Sequence, residues 1–330
     1  MLLVNVGTPD SPSVPDVRRY LSEFLNDARV IDLPWLWRKL LVNGIIVPFR
    51  APKSAKIYRM LWTDQGSPLM LHGNALRDAV QNQLGPAYKV ELAMRYQNPS
   101  LGSVLEGFRK LNLDRIIVVP LYPQYASAST GTVNQAVMEI VGQWWVIPEM
   151  RLISQFYDRP GFIEAFIERG KEYKHEEYDH VLFSFHGLPV RQVDKVYDDS
   201  LCESHDCEKE VTHTNHFCYK ATCYETARRI AAGLGIEKDR YTVCFQSRLD
   251  KNWLEPFSDK VVEEKAKQGC KKLLVFSPAF VADCLETTIE IGHEYLEIFE
   301  KHGGKHLQLV ESLNAHPLWV KTVVDLVRQG

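Results

Sequence analysis

The sequence has no apolar run of the roughly 18 to 20 residues needed to cross a bilayer. Its first residues, Met1 to Asn5, lack the basic start and long apolar core of a signal peptide. It also has no excess of charge of one sign: 39 Lys and Arg against 42 Asp and Glu leave a formal net charge of -3. That balance disfavours a sequence-blind grip on nucleic acid, so none is expected as a partner. No G-x-G-x-x-G follows the first apolar segment, which disfavours a dinucleotide cofactor. These absences predict a cytoplasmic protein in which thiols stay reduced. Its seven cysteines are then expected to be free, metal-bound or catalytic rather than a disulfide framework.

What the sequence does have is repetition. A length of 330 residues suits two domains with substantial cores. Short runs rich in Val, Ile and Leu recur at Leu2–Val6, Lys89–Met94, Arg115–Pro120, Val181–Phe185, Tyr241–Phe245 and Lys272–Ser277. Each is followed by a turn and a segment of helical periodicity, the pattern of buried parallel strands joined by crossover helices. The predicted class is therefore α/β, with helices on both faces of parallel sheets. The runs fall into two sets. "LDRIIVVPLYPQYASASTGT" and "CKKLLVFSPAFVADCLETT" share a basic lead, an apolar strand, a proline (Pro120, Pro278), an aromatic loop and a Thr-bearing helix start. The repeat predicts two related domains facing each other, over about 1–155 and 156–330, with Leu307–Gln329 as a closing strand and helix.

Two inserts interrupt the plan. In the first, Ile31 to Leu61, Trp35, Trp37, Leu40, Leu41, Ile45 and Ile46 interleave with Arg38, Lys39 and Arg50. This pattern suits either a lip touching membrane or a hydrophobic ligand, or a pair of domain-packing helices. The second is a cysteine loop over about 198–223. Cys202, Cys207, Cys218 and Cys223 stand as two C-x4-C pairs, near His205, His213 and His216. Four thiolates on two short loops suit a [2Fe–2S] cluster or a tetrahedral zinc, and the third reading is no metal, with Cys223 packed in a helix.

Reactive side chains are sought just after strands, where parallel α/β sheets place ligands. His186 follows Val181–Phe185 and precedes Gly187, Leu188 and Pro189; the plainer reading is a histidine hydrogen-bonded into a loop. In "ADCLETTIEIGHEY", Asp283, Glu286, Glu290 and His293 fall at helical spacing on one face. An inward row of carboxylates is costly unless it meets protons or a metal, although Asp283 and Glu286 also read as a capping box. A neutral histidine opposite such a row accepts protons and holds a divalent cation. In "LYPQYASASTGT", Tyr122, Tyr125, Ser127, Ser129 and Thr130 offer aromatic faces and hydroxyls to an aromatic ligand with carboxylate arms. Arg29, Arg59 and Arg95 are candidate partners for those carboxylates, and Trp253 is a second aromatic wall.

With these residues in place, the sequence resembles the ferrochelatase family from "LLVNVGTPDSP" through "GSPL", "PLYPQYASASTG", "SFHGLP" and "FQSR" to "FVADCLETTIEI". The resemblance implies two Rossmann-like domains related by a pseudo-twofold axis, and insertion of Fe2+ into protoporphyrin IX to form haem. It implies that His186 is the active-site histidine and Glu286 the facing glutamate, both holding the Fe2+ substrate. Glu290 continues the row and Asp283 starts it, while Trp253, Arg59 and Tyr122–Thr130 lie towards the porphyrin. The insert 31–61 matches the family's hydrophobic lip, which implies peripheral contact with the inner face of the cell membrane and favours protoporphyrin over coproporphyrin. Some members carry a [2Fe–2S] cluster on internal cysteines. The alternatives are a chelatase for coproporphyrin III or another tetrapyrrole and, from a different class, a non-catalytic porphyrin or haem carrier. The oligomeric state is not legible.

Overall fold

A computed structural model of the chain describes residues 1–198 and 201–328; residues 199 and 200 of the cysteine insert, and Gln329 of the expected closing helix, lie outside the described residues. The chain divides into two compact units. The first comprises Met1–Tyr122, Ser127–Gln155 and the chain end from Val323; the second comprises Pro123–Ala126 and Phe156–Thr322.

In the first unit, β1 (Leu2–Gly7), β2 (Glu91–Tyr96), β3 (Arg115–Pro120) and β4 (Glu149–Leu152) form a parallel sheet in the order β2-β1-β3-β4. In the second, β5 (His180–His186), β6 (Tyr241–Gln246), β7 (Lys272–Phe276) and β8 (His306–Leu309) form another in the order β6-β5-β7-β8. All six apolar runs form strands, and the two sheets repeat one topology. β4 was not expected, because its "EMRL" alternates charged and apolar residues at a sheet edge and carries no buried-strand pattern.

Each sheet is covered on both faces, as strand alternation requires. Leu2, Val4, Ala93, Ile116 and Val118 pack against Leu105 and Phe108 of helix Leu101–Arg109 and Val133 and Val137 of helix Thr132–Val141. Leu92 faces the other way, so close to Gly73 of helix Pro68–Leu84 that a Cβ there would lie 2.8 Å from its side chain. In the second unit, Leu182, Cys244, Leu273 and Val275 pack against Val261, Val262, Ile291, Tyr295 and Phe299. Phe276 faces away, onto Gly170 of helix Pro160–Glu172.

The repeat reaches into the loops. Met94 of β2 bridges Ser100 beyond the strand, and Phe245 of β6 bridges Phe257 beyond its own. Between each pair the chain passes through a left-handed residue, Gln97 (φ 66°) and Ser247 (φ 63°). After β3 and β7 the following helix opens with a π-helical segment, Ser127–Gly131 and Glu286–Tyr295 respectively. Such i→i+5 turns are rare and concentrate at functional sites.

The insert 31–61 folds as helix Trp35–Leu41, a π turn over Val42–Ile46 and helix Val47–Leu61. Val42, Val47, Ala51, Ala55 and Tyr58 are buried. Trp35 and Trp37 are each 65% exposed and Phe49 73%, with Leu36, Leu40 and Ile45 exposed beside them. One side of the pair is thus packing surface and the other an apolar ridge in solvent, larger than isolated exposed residues would make.

Candidate functional site

The second unit assembles its site at the carboxyl ends of β5, β6 and β7. His186 is the last residue of β5 and pairs with Gln246, the last of β6. The Nδ1 of His186 lies 2.6 Å from the carbonyl oxygen of Gly187. A carbonyl only accepts, so Nδ1 carries the proton and Nε2 is the basic nitrogen. Gly187 is required here: a Cβ would come within 2.8 Å of the Gln246 carbonyl oxygen. The imidazole is half-buried. It is flanked by Trp253 and Phe280, whose ring centroids are 6.4 and 6.3 Å from its own. Tyr219, buried at the start of helix Tyr219–Leu234, donates its hydroxyl to the His186 carbonyl at 2.9 Å.

Gln246 links the histidine strand to the acidic helix. Its Oε1 accepts from Ser184 at 2.7 Å, and its Nε2 donates to the carbonyl oxygen of Glu286 at 2.8 Å and to the carboxylate of Glu290 at 3.1 Å. Glu290 also accepts from the Ser247 N–H at 2.8 Å, the Ser247 hydroxyl at 2.5 Å and the Tyr295 hydroxyl at 3.0 Å. Four donors thus pin this carboxylate as a fixed negative charge. Glu286 is half-buried, its carboxylate beside the buried thiol of Cys284.

The expected single row from Asp283 to His293 is corrected. Asp283 lies in the loop ahead of the helix, where its carboxylate accepts from Thr287 Oγ1 (3.3 Å), Ser312 N (3.2 Å) and Asn314 Nδ2 (2.8 Å). It ties the helix start to the segment after β8. His293 is exposed, because the π-helical turn is wider than the α-helical turn assumed for the spacing. Glu294, also exposed, stands at the four-residue interval of Glu286 and Glu290, its carboxyl pushed up first by desolvation and then by the charges of Glu290 and Glu297. The sequence reading missed Gln246, Ser247, Tyr219 and Glu294. Glu294 had a signal in its spacing, and Gln246 and Ser247 had one in the "FQSR" motif; Tyr219 had none.

In the first unit, the π turn after β3 is held by a polar network. Asp27 accepts from Thr132 Oγ1, Arg95 Nη2 (2.7 Å) and the Tyr96 hydroxyl (3.0 Å). Burial pushes the Asp27 carboxyl up, but these bonds, the Arg29 N–H and the Arg95 charge together hold it below its ordinary value. Arg29 donates to Ser127 Oγ at 2.7 Å and Gln135 Oε1 at 2.6 Å. Arg95 is therefore an internal ion-pair partner, and Arg29 braces the loop that carries Ser127. Tyr122, Ser127 and Ser129 are half-buried on this loop and Arg59 is exposed. Thr130 is fully buried, its hydroxyl unpaired, so this conformation does not present it to a ligand. Tyr125 belongs to the second unit, its ring 5.3 Å from that of Phe217.

The cysteine insert brings together three of its four cysteines. The sulfurs of Cys202, Cys207 and Cys218 are 3.6, 3.6 and 3.9 Å apart, and no other His, Cys, Asp or Glu among the described residues joins them. The expectation that Cys223 is the fourth is corrected. Helix Tyr219–Leu234 begins directly after Cys218, so a residue five places on points about 140° round the axis. Cys223 is buried beside Tyr219, its thiol pushed well up by burial. Two bridged irons take two thiolates each, in pairs at opposite ends of the cluster. Three mutually equidistant sulfurs do not match that arrangement, so the residues present do not fit a [2Fe–2S] group.

Comparisons with known proteins agree with the motifs. A sequence model described as Ferrochelatase matches residues 1–330. A protein named Ferrochelatase from Legionella pneumophila (strain Lens) is 40% identical over 330 residues, covering 100% of this chain and 98% of its own. Another of that name, from Coxiella burnetii (strain Dugway 5J108-111), is 40% identical over 337 residues, covering 100% and 93%. Among solved structures, SirB from Bacillus subtilis with Fe3+ has a TM-score of 0.52 at 14% identity, covering 80% of this chain and 91% of its own, a likeness of fold alone. Matched along its whole length by sequence and carrying the two parallel sheets of a chelatase, the chain belongs to the ferrochelatase family, lyases that insert a metal into a porphyrin.

Proposed function

We propose that the chain inserts Fe2+ into protoporphyrin IX, forming protohaem in the final step of haem biosynthesis. The observation that carries the reading is the basic Nε2 of His186, on a residue paired in strand register with Gln246, whose side chain holds the Glu286 backbone carbonyl and the Glu290 carboxylate. The two inner protons of a free porphyrin block metal entry. Nε2 of His186 takes up a pyrrole proton, and binding the ring distorted, with its lone pairs tilted to one face, favours the transition state over the flat substrate. Two protons leave as a dication arrives, so the net charge of the cavity is conserved. Glu286 is the half-buried carboxylate available to Fe2+ or to a proton, whereas Glu290, pinned by four donors, supplies a fixed negative charge. Trp253 and Tyr125 offer ring faces to the macrocycle. Tyr122, Ser127, Ser129 and Arg59 serve its edge and carboxylate arms, and Asp283 supports the helix start.

The apolar ridge of Trp35, Trp37, Leu40 and Phe49 suits a cytoplasmic enzyme held peripherally on the inner face of the cell membrane, taking an apolar porphyrin from lipid. The same ridge favours protoporphyrin over coproporphyrin III, whose additional carboxylates call for a more polar mouth. The test is an anaerobic assay of purified protein with Fe2+ and each porphyrin. Faster turnover of protoporphyrin IX is expected. A preference for coproporphyrin III would overturn the substrate, and tight porphyrin binding without insertion would make the protein a carrier.

A further inference from the structure

We infer that the helix pair of the 31–61 insert docks on an anionic lipid bilayer, with Lys39, Arg50, Lys53 and Lys56 as the cations that meet its headgroups, which rests on the peripheral contact proposed above and names the lipid class it selects. In a chain with 42 acidic residues, positions 33–63 hold none, yet they hold Arg38, Lys39, Arg50, Lys53, Lys56 and Arg59. A stretch of one sign in a chain of balanced charge marks a surface that meets the opposite sign. Arg38 is the exception: it is buried, and its Nη1 donates to the Leu33 carbonyl oxygen at 2.6 Å. Lys39, Arg50, Lys53 and Lys56 meet no carboxylate among the described residues. By contrast, Arg19 of the preceding helix Val14–Leu25 is paired with Asp16.

Helical geometry sets these cations into the apolar ridge. In helix Trp35–Leu41, Lys39 stands four residues after Trp35 and three after Leu36, on their side of the axis. In helix Val47–Leu61, Lys53 and Lys56 stand four and seven residues after Phe49, and all three are exposed on the face opposite buried Ala51, Ala55 and Tyr58. Long basic side chains beside aromatic rings suit a lipid interface, where the rings enter the acyl boundary and the charged ends reach up to the phosphates. The interleaving favours lipid over an acidic protein, whose hydrated carboxylates offer the rings of Trp35, Trp37 and Phe49 no apolar medium. Exposed cations act over about 8 Å at physiological ionic strength, so the attraction is salt-sensitive.

The test is cosedimentation of the full-length protein with vesicles of phosphatidylcholine alone and of phosphatidylcholine mixed with phosphatidylglycerol, at low and raised salt. The mixed vesicles should bind the wild type roughly 100-fold more tightly, at about fivefold per cation, and the preference should shrink as salt rises. Arg50→Gln with Lys53→Gln and Lys56→Gln keeps good helix formers and should abolish most of that preference without changing binding to phosphatidylcholine. Lys53→Arg with Lys56→Arg keeps the charge and should bind as the wild type does. Arg59 is left intact because it is assigned to the porphyrin, and turnover of detergent-dispersed porphyrin should be unchanged in both variants. Equal wild-type binding to the two vesicles would overturn the inference and leave the peripheral contact standing, whereas binding to neither would remove both. Undiminished preference in the Gln variant would give these cations to an acidic protein, and a raised KM for dispersed porphyrin would give them to the substrate; either result overturns the inference. The wild-type preference and its salt dependence are read without any variant, so a variant that fails to fold does not remove the test.

Discussion

The hydroxyl of Tyr219 donates to the backbone carbonyl oxygen of His186 at 2.9 Å, fixing the end of β5 from a helix that starts at a cysteine. Tyr219→Phe keeps the ring and removes this bond. A neutral hydrogen bond contributes about 1 kcal/mol net. Expressed wholly in the transition state, that is roughly a fivefold fall in kcat. Steady-state kinetics should show kcat reduced with KM for the porphyrin unchanged; an unaltered kcat would show that this bond does not position His186.

Glu286 and Glu290 are expected to respond differently to the same change. Glu290→Gln replaces an acceptor oxygen with an NH2 group among donors from Gln246, Ser247 and Tyr295, leaving buried donors unpaired at a cost of about 1 to 3 kcal/mol. Glu286→Gln should leave stability within about 0.5 kcal/mol while lowering kcat by about 100-fold or more. Urea denaturation and turnover, measured on both variants, separate the fixed charge from the working carboxylate. Equal losses of stability would contradict the distinction.

The fold was legible because buried parallel strands leave a plain signature. Six Val, Ile and Leu-rich runs in two ordered sets became six of the eight strands among the described residues, and the pairing of "LDRIIVVP" with "CKKLLVFSP" matched β3 with β7. His186 was legible from its place after a strand. The environments were not. Whether Asp283 caps, faces a cavity or ties down a distant loop depends on Asn314 and Ser312, some thirty residues away. The even C-x4-C spacing of the insert does not reveal that a helix starts at Tyr219 and turns Cys223 away from its three neighbours. The π-helical turns, which set which acidic residues align, have no simple sequence pattern.

His180 makes stability depend on pH. It is 7% exposed, with Nε2 2.9 Å from Thr242 Oγ1, and burial, with smaller contributions from the Lys265 and Arg240 charges, pushes its imidazole down from 6.5 to about 4. The unfolded chain therefore binds a proton that the folded chain resists. This contribution is fully present above pH 6.5 and is lost as pH falls towards 4. Urea midpoints between pH 7 and 4 should fall, and His180→Gln should flatten the slope by up to about one proton. An unchanged slope would mean that His180 titrates normally in the folded state.

The apolar ridge predicts vesicle binding. Trp35→Ser with Trp37→Ser removes two large exposed apolar side chains, each contributing about 1.5 kcal/mol or more when buried in lipid. Cosedimentation with anionic lipid vesicles should weaken more than tenfold. Equal binding by the variant and the parent would remove the membrane role from this insert.

The central claim is that Nε2 of His186 accepts a porphyrin proton during metal insertion. The most direct measurement is anaerobic Fe2+ insertion into protoporphyrin IX by wild type and His186→Ala, with porphyrin binding followed separately by fluorescence. The account predicts at least about a 100-fold loss of turnover with porphyrin binding and the melting temperature largely kept. Wild-type turnover in His186→Ala would contradict it.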